Sequence, residues 1–226
     1  MHVLCTFHSF CLRLIRENSY LLGLDERFPV LDNEHQTAIF KDVYNNSMNF
    51  VGMDKMSLLD YEDKVSCVLF CKPCNFRCPF CHNGLTVLNS DEEMTFDYIL
   101  SYLKKRIGII DAVVFSGGEV TLMDDLKEKI QKVKDLGFLI KVDTNGTNPD
   151  VIKELLNDNL IDYVAMDIKN SKEKYEVTTG TNVNFFDKVL TTFNLLKDSG
   201  VNFEIRTTLV QEFHDENDIK EIAKNF

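Results

Sequence analysis

Residues Val65–Cys81 read VSCVLFCKPCNFRCPFC and join a strand-like run to a cluster of cysteines. The first part, Val65–Cys71, is short, apolar and rich in β-branched residues, which is typical of a buried strand. The loop that follows places Cys74, Cys78 and Cys81 in a CxxxCxxC pattern. Three thiolates at this spacing can hold three corners of a cubane iron–sulfur cluster and leave the fourth iron without a protein ligand. Such an open iron can bind a substrate or cosubstrate directly.

The other cysteines leave a metal-binding alternative open. The chain has seven cysteines in 226 residues, which is too few for a disulfide scaffold, and an odd number leaves one thiol unpaired. Structural zinc commonly takes four ligands from two short-spaced pairs. Cys71 or His82 could complete a zinc set, but no cysteine follows Cys81. A zinc- or cluster-bearing interaction module is therefore the non-enzymatic alternative, and we expect Cys67 and Cys71 to be buried or loop thiols.

Beyond the cysteine loop, strand-like apolar runs alternate with helix-like segments. The predicted strands are Val65–Cys71, Asp111–Phe115, Phe138–Val142, Ile161–Ile168 and Asn202–Val210. The predicted helices are Thr95–Ile107, Leu122–Leu136, Pro149–Asn157, Phe185–Ser199 and Glu216–Phe226. This order predicts an α/β fold with a parallel sheet. Five units are too few for a complete eight-stranded barrel, so we expect an open or partial (β/α) barrel.

Composition and charge narrow the class of protein. Acidic residues outnumber basic ones by 36 to 25, for a formal net charge of −11, which argues against a nucleic-acid surface. No segment reaches the roughly 18–20 apolar residues that span a bilayer, and the start of the chain lacks a signal-peptide pattern. We therefore expect a soluble, cytoplasmic protein. Polar turn formers at Asn45–Ser47 separate an irregular extension, residues 1–47, with one short helix around Phe10–Leu22, from a domain at residues 48–226.

Polar and glycine-rich segments lie on or just after the later predicted strands. They are Phe115–Glu119 (FSGGE), Asp143–Gly146 (DTNG), Met166–Lys169 (MDIK) and the single charge Arg206. Paired glycines let a backbone approach a ligand closely, and Glu119 could accept a hydrogen bond from an ammonium group. Each segment alone is more typical of a turn or a solvated charge. Because ligands bind at the carboxyl ends of parallel strands, we expect these segments and the cysteine loop to form one site.

At this point the sequence resembles a known family. CNFRCPFCHN (74–83) resembles the cluster-binding loop of the radical S-adenosylmethionine (radical SAM) superfamily. KMSLLDYEDKVSCVLF (55–70) is similar to the lead-in of the branch that activates glycyl radical enzymes, notably anaerobic ribonucleotide reductase and, close to it, pyruvate formate-lyase. The resemblance spans about residues 50–226. Residues 1–47 lie outside it, and the chain ends on a helix where the family continues to a further strand, so we expect a shortened C-terminal end.

The resemblance implies an activity and its partners. Cys74, Cys78 and Cys81 would hold a [4Fe–4S] cluster whose free iron binds the amino and carboxylate groups of SAM. One electron from an external donor such as flavodoxin or ferredoxin would cleave SAM to methionine and a 5′-deoxyadenosyl radical. That radical would take a hydrogen atom from a backbone glycine of a larger partner, a glycyl radical enzyme such as anaerobic ribonucleotide reductase. A radical SAM enzyme acting on a small molecule, such as a deazapurine synthase, is the alternative.

The resemblance also implies a set of cofactor contacts. Phe80 would flank the adenine, Gly117–Glu119 would meet the SAM amino group, and Val120 stands where the family has proline. Asp143, Thr144, Met166 and Asp167 would surround a monovalent cation that touches the SAM carboxylate. Lys169 offers a charge for a carboxylate or a ribose hydroxyl, and Arg206 either binds a carboxylate or pairs with a nearby acid. The expected cofactor-binding residues are therefore Phe80, His82, Gly117, Gly118, Glu119, Asp143, Thr144, Asn145, Met166, Asp167, Lys169 and Arg206.

Overall fold

The computed structural model describes residues 50–84 and 94–226. The strands are β1 Phe50–Ser57, β2 Ser66–Cys71, β3 Ala112–Gly117, β4 Leu139–Thr144, β5 Tyr163–Asp167 and β6 Asn202–Arg206. The helices are α1 Phe96–Lys104, α2 Leu126–Lys134, α3 Pro149–Asn157, α4 Tyr175–Thr179, α5 Phe186–Ser199 and α6 Glu216–Asn225. None of these helices combines the length and the apolarity that crossing a membrane requires. The predicted extension of residues 1–47, with its short helix, lies outside the described residues.

One six-stranded sheet carries the fold, in the order β1-β2-β3-β4-β5-β6. Strands β2 to β6 are mutually parallel, which confirms the predicted α/β class. Their register pairs Cys71 with Gly117 and Asp167 with Arg206, so the carboxyl ends of the strands lie together. Within residues 50–84 and 94–226, β1 and β6 are the edge strands, and the sheet does not close on itself.

Strand β1 was not predicted from the sequence. It pairs antiparallel with β2, and its register is interrupted between Phe50 and Gly52 and between Asp54 and Ser57. Its residues Asp54–Met56 include two charges and are exposed, whereas Ser57 is buried. An irregular edge strand of this kind lacks the continuous apolar run by which the other strands were recognised.

Several predicted boundaries move, each for a local reason. Helix α1 begins after Thr95, whose side chain accepts a hydrogen bond from the Tyr98 amide at 3.3 Å, as the start signal predicted. Helix α2 begins at Leu126 rather than Leu122, because a 3₁₀ turn, Val120–Leu122, takes up the preceding residues. Strand β6 ends at Arg206, not at Val210.

The two faces of the sheet have different surroundings. Within the described residues, the buried apolar helix residues all pack in one cluster with alternate strand residues such as Leu69, Phe115 and Val142. The opposite face, called here the cavity face, holds a small cluster of Tyr61, Val68, Ala112 and Val114. Barrels carry their helices on one face, whereas doubly wound sheets carry helices on both. The arrangement is therefore that of a partial barrel.

Candidate cluster and cofactor site

A cavity of about 680 Å³ lies at the carboxyl ends of the parallel strands. All but two of the predicted site residues line it: Cys74, Cys78, Phe80, Cys81, His82, Gly117, Gly118, Asp143, Thr144, Asn145, Asp167, Lys169 and Arg206. Glu119 and Met166 are the two that do not. The predicted gathering of the cysteine loop and the strand ends around one site is thus what the fold produces.

The cysteines separate into two groups. Cys74 and Cys78 are half-buried and Cys81 is exposed, and all three are free thiols on the cavity wall. Cys67 and Cys71 lie fully buried within β2. Burial raises the pKa of both thiols to about 12 and that of Cys74 to about 11, so position and not pKa separates the two groups. In residues 50–84 and 94–226, no three His, Cys, Asp or Glu side chains converge on a position for a single metal ion. Three free thiols around one cavity are a donor set that fits a cluster binding one thiolate per iron.

The cysteine loop is fastened to the end of β4 by side-chain amides. Asn145 Nδ2 donates to Asn75 Oδ1 at 2.8 Å, and Asn75 Nδ2 donates to the Thr147 hydroxyl at 2.9 Å. The Thr147 amide and hydroxyl donate back to Asn145 at 3.1 and 2.8 Å. Asn145 therefore lines the cavity and also fixes the loop that carries the three thiols.

Helix α4, which sequence patterns did not predict, supports the same loop from the other side. The Arg77 amide donates to the Thr179 carbonyl at 2.8 Å. Gly180, in the left-handed region with φ of 63°, passes so close that a β-carbon would lie 2.5 Å from the Arg77 carbonyl oxygen. The buried Phe76 ring contacts Tyr175 at a centroid distance of 6.2 Å. The loop is thus held in place by main-chain and aromatic contacts.

The paired glycines serve a close approach between two segments of this chain. A β-carbon on Gly117 would lie 2.3 Å from the Cys71 nitrogen, and one on Gly118 would lie 2.3 Å from the Pro73 carbonyl oxygen. The Gly118 and Glu119 amides donate to the Cys71 and Pro73 carbonyls at 2.8 and 2.9 Å. Only glycine permits this contact, which places the end of β3 beside the start of the cysteine loop.

Glu119 is fully buried and directs its carboxylate to the end of β4. It accepts hydrogen bonds from the Asn145 amide at 2.6 Å, the Thr144 hydroxyl at 2.7 Å and the Thr121 amide at 3.1 Å, with the Thr121 hydroxyl as a fourth donor. Burial raises the pKa of this carboxyl group, and the four hydrogen bonds oppose the rise. The structure therefore makes Glu119 a link between β3 and β4, not a wall of the cavity.

Four charged side chains face the cavity from β4, β5 and β6. Arg206 Nε donates to Asp167 Oδ1 at 2.9 Å, and Lys169 Nζ lies 2.9 Å from Asp167 Oδ2. Burial favours a higher pKa for Asp167, but these two cations outweigh it and lower the pKa. Asp143 lies 3.6 Å from the Arg206 guanidinium and accepts from Ser116 at 2.8 Å. Two acids and two cations in one cavity can bind a zwitterionic ligand.

Asp143 is the more deeply buried of the two acids. Burial raises its pKa despite the neighbouring Arg206 and Lys141. Its Oδ1 atom is buried and has no hydrogen-bond partner among the described residues. An unpaired buried carboxylate oxygen is costly unless a cation or a ligand satisfies it.

Met166 lies on the helix face of β5, within the buried core. Its methyl carbon is 2.8 Å from where a β-carbon on Gly146 would stand, so the side chain packs beneath the DTNG turn. Asp167, the next residue, lines the cavity. Successive strand residues point to opposite faces, which is why these two neighbours lie in different surroundings.

The cavity is also lined by residues outside the predicted cofactor-binding set: Asp60, Phe70, Phe76, Arg77, Asn83, Ser116, Thr207 and Thr208. Asn83 belongs to the cysteine motif that we expect to lie near SAM, and Ser116 belongs to the FSGGE segment. Ser116 stands directly before Gly117, so its position at a strand end was a usable signal. Thr207 and Thr208 follow Arg206, but the predicted fifth strand ran past them. Asp60 follows β1, the strand that sequence patterns missed.

Comparison with known proteins gives the same picture. The model of the radical SAM superfamily matches residues 68–225. A protein of Methanocaldococcus jannaschii, provisionally named a glycyl-radical enzyme activating enzyme, is 40% identical over 179 residues, which cover 76% of this chain and 73% of that protein. The pyruvate formate-lyase-activating enzyme of Clostridium pasteurianum is 30% identical over 170 residues, which cover 72% of this chain and 69% of that enzyme.

Solved structures share the fold at low identity. Native anSMEcpe with bound AdoMet matches with a TM-score of 0.54 at 22% identity, over 68% of this chain and 45% of that chain. SuiB of Streptococcus suis bound to S-adenosylmethionine matches with a TM-score of 0.51 at 13% identity, over 97% of this chain and 48% of that chain. The chain spans less than half the length of these two solved chains, and the likeness is one of fold.

The family match runs from β2 to α6 and includes the three cavity-lining cysteines and the four charged strand-end residues. The predicted family resemblance is thereby confirmed: the chain belongs to the radical SAM superfamily of enzymes.

Proposed function

We propose that this chain activates a glycyl radical enzyme, with an anaerobic ribonucleotide reductase as the expected partner. The observation that carries the proposal is the gathering of Cys74, Cys78 and Cys81 with the charged residues Asp167 and Arg206 around one cavity. Two relatives bear the names of activating enzymes, one for glycyl radical enzymes and one for pyruvate formate-lyase. The free thiols suit the reducing cytoplasm, where we place the protein.

The three cysteines would hold a [4Fe–4S] cluster, and the cavity would hold SAM beside it. When bound, these cofactors supply reductive cleavage of SAM to methionine and a 5′-deoxyadenosyl radical, with one electron from a donor such as flavodoxin or ferredoxin. The chain's own residues bind and orient. Arg206 and Lys169 offer donors to the methionine carboxylate, and the Asp167 carboxylate, kept ionised by its lowered pKa, offers an acceptor to the amino group.

A monovalent cation beside Asp143 is part of this proposal. The Oδ1 atom of Asp143 is buried without a partner in the described part of the chain, and Thr144 and Asp167 line the same cavity. A cation coordinated there would satisfy that oxygen and would offset the cost of its burial.

The filling of the cavity face favours a protein substrate over a small molecule. Tyr61 is 8% exposed and packs against β2 and β3, and its ring lies 5.4 Å from that of Tyr163. These side chains fill the cavity face near the amino ends of the strands, so the open space lies at the carboxyl ends. A volume of about 680 Å³ is of the size that one ligand such as SAM takes. A substrate must then reach the cavity from its open side, at the carboxyl ends of the strands. A segment of a larger protein can do so.

Reductive SAM cleavage on the anaerobically reconstituted chain tests the proposal. With SAM and dithionite we expect 5′-deoxyadenosine and methionine, and with the anaerobic ribonucleotide reductase of the same organism a glycyl radical signal in electron paramagnetic resonance. The Cys78→Ala variant should give neither. A colourless protein with one zinc would overturn the enzyme assignment, and SAM cleavage without a radical on the reductase would favour a small-molecule substrate.

A further inference from the structure

We propose that Lys141 is a positioning residue that fastens the turn between β1 and β2, residues 58–65, across the cavity face as the floor of the cavity that the substrate must enter. The identity of the substrate, a segment of a glycyl radical enzyme, rests on the function proposed above. The fastening itself rests on contacts within this chain.

Lys141 is held on three sides. Its Nζ atom donates to the Asp60 carbonyl oxygen at 2.6 Å and lies 3.1 Å from Glu204 Oε1. It also lies 5.0 Å from the centroid of the Tyr163 ring. The Lys141 side chain is 7% exposed, whereas that of Glu204 is 39% exposed. One ammonium group thus joins β4, β6 and the turn after β1.

The turn that Lys141 holds belongs to the cavity. Asp60 lines it, and its carboxylate accepts a hydrogen bond from the Ser57 hydroxyl, which ties the turn to the end of β1. The next residue, Tyr61, is buried among Val68, Ala112 and Val114 on the cavity face. The turn therefore crosses the sheet beneath the cavity and forms its lower boundary.

The position of Lys141 on β4 connects this floor to the cofactor layer. Lys141 and Asp143 are two residues apart and point to the same face of the strand. On β6, Glu204 and Arg206 are related in the same way, and the two side chains approach to 3.9 Å. Strands β4 and β6 thus position both the turn at residues 58–65 and the charged residues around the proposed SAM site.

A lysine is an unusual choice for this place. Inner layers of barrels are dominated by bulky branched apolar side chains, and lysine is almost never fully buried unless it is paired. Replacement of a buried ion pair by apolar residues often leaves stability unchanged or raises it. An apolar residue at position 141 could pack against the sheet, but it could not supply the hydrogen bond to the main-chain carbonyl of Asp60 in another segment.

Hydrogen–deuterium exchange of the reconstituted protein tests the fastening without any partner. We expect the amides of residues 58–64 to exchange about tenfold faster or more in Lys141→Met, since a charge-assisted hydrogen bond is lost. Lys141→Arg, which keeps a donor and a charge, should restore most of the protection. Lys141→Gln is too short to reach the carbonyl and provides the same readout should the methionine variant fail to fold.

Lys129→Met is the matched control. Lys129 is also a mostly buried lysine, 10% exposed and stacked near Phe50, but its ion pair is with Asp125 at the start of its own helix and not with the turn at residues 58–65. Its loss should leave the exchange of residues 58–64 as in the wild type. Equal exchange in wild type, Lys141→Met and Lys141→Gln would overturn the proposal.

The role in substrate positioning is measured with the anaerobic ribonucleotide reductase of the same organism as substrate. We expect Lys141→Met to raise the KM for this protein more than it lowers kcat, because the floor is displaced while the charged layer stays, and Lys141→Arg to reverse the change. An unaltered KM in a variant whose turn is unprotected would refute the positioning role. If the wild type cleaves SAM but forms no glycyl radical, the proposed function fails, whereas the exchange experiment still decides the fastening.

Discussion

At the scale of single residues, the five cysteines within fifteen positions occupy two different environments. Cys74, Cys78 and Cys81 line the cavity, whereas Cys67 and Cys71 lie fully buried inside β2. The same residue type therefore lines the cavity in the loop and packs in the core in the strand, and the loop cysteines are the ones we propose as cluster ligands.

The first prediction tests whether the loop cysteines, and not the strand cysteines, bind the cluster. Alanine at any one of Cys74, Cys78 and Cys81 should reduce the iron and sulfide content of the reconstituted protein and abolish reductive SAM cleavage. Cys67→Ala, the matched control, should retain both, because Cys67 is fully buried and is not among the residues that line the cavity. Iron and sulfide analysis together with the cleavage assay provide the measurement. Equal iron loss in Cys67→Ala would show that β2 contributes a ligand.

The second prediction concerns Glu119. In Glu119→Gln, one carboxylate oxygen becomes an amide donor that faces the donors of Thr121, Thr144 or Asn145. Leaving buried donors unsatisfied costs about 1–3 kcal/mol each, so we expect the free energy of unfolding to fall by about that amount. Urea unfolding of the apoprotein measures this effect without any cofactor. If stability is unchanged and only SAM affinity falls, Glu119 faces the ligand instead.

At the scale of elements, the N-terminus of α6 is built around one buried carboxylate. Asp218 accepts from the Ser171 hydroxyl at 2.8 Å and the Asp215 amide at 2.9 Å, and it lies 2.6 Å from Lys174 Nζ. Burial opposes ionisation, but Lys174 and these hydrogen bonds lower the pKa of Asp218 from 3.8 to about 2. Asp218 and Asp215 form a capping box that starts the helix.

The third prediction follows from the sign of this pKa shift. A carboxyl group whose pKa is lower in the folded state stabilises the fold above its unfolded pKa, and this contribution is lost as the pH falls through the folded pKa. Asp218→Asn should therefore lower the free energy of unfolding by about 2 kcal/mol at pH 7. The difference from the wild type should shrink below pH 3.8 towards about 2. Urea unfolding of both proteins over this range measures it.

The control for this prediction is Asp198→Asn, which changes an exposed aspartate on α5. Its effect on stability should be small at every pH in the range. A deficit in Asp218→Asn that does not change with pH would mean that packing, not ionisation, accounts for the contribution of Asp218.

Sequence patterns predicted the parallel strands and most helices, because each is an apolar or amphipathic run with a turn signal at its end. They missed β1 and α4 for physical reasons. Strand β1 is an irregular edge strand with charges at its centre. Helix α4 is five residues long, reads YEVTT and contains β-branched residues that favour helices weakly. Contacts of Tyr175 with Phe76 and Phe186 hold it, and contacts of this kind are invisible in a local pattern.

The sequence predicted where the candidate site lies, but not towards which side each of its side chains points. The rule that parallel strands end at one edge brought Asp143, Asp167 and Arg206 together correctly. It could not assign a direction to each side chain. Strand alternation alone would have shown that Met166 and Asp167 face opposite sides. The four hydrogen bonds that turn Glu119 away from the cavity depend on the neighbouring strand, which only the fold supplies.

At the scale of the whole molecule, the cavity is formed by several elements together. Its walls come from the cysteine loop, from the ends of β3, β4, β5 and β6, and from the turn after β1. Any ligand that bridges these walls must bind the folded chain and not the unfolded one. Ligand binding and global stability are therefore linked.

The last prediction uses this linkage. For a ligand that binds only the folded state, a concentration of about 100 times Kd adds about 2.7 kcal/mol to stability. For a chain of this size that corresponds to a rise in Tm of about 5–10 °C. We expect SAM to raise the Tm of the anaerobically reconstituted wild type by this amount. The shift should largely disappear in Arg206→Met, which removes the cation between Asp167 and Asp143.

Lys127→Met is the control, because Lys127 forms exposed ion pairs with Glu154 and Asp158 and lies outside the cavity lining. It should keep the full shift with SAM. Equal shifts in Arg206→Met and Lys127→Met would place SAM elsewhere on the molecule. A full shift in Arg206→Met that is absent from Cys78→Ala would instead assign the main contact with SAM to the cluster, and the charged strand ends would then act on the substrate.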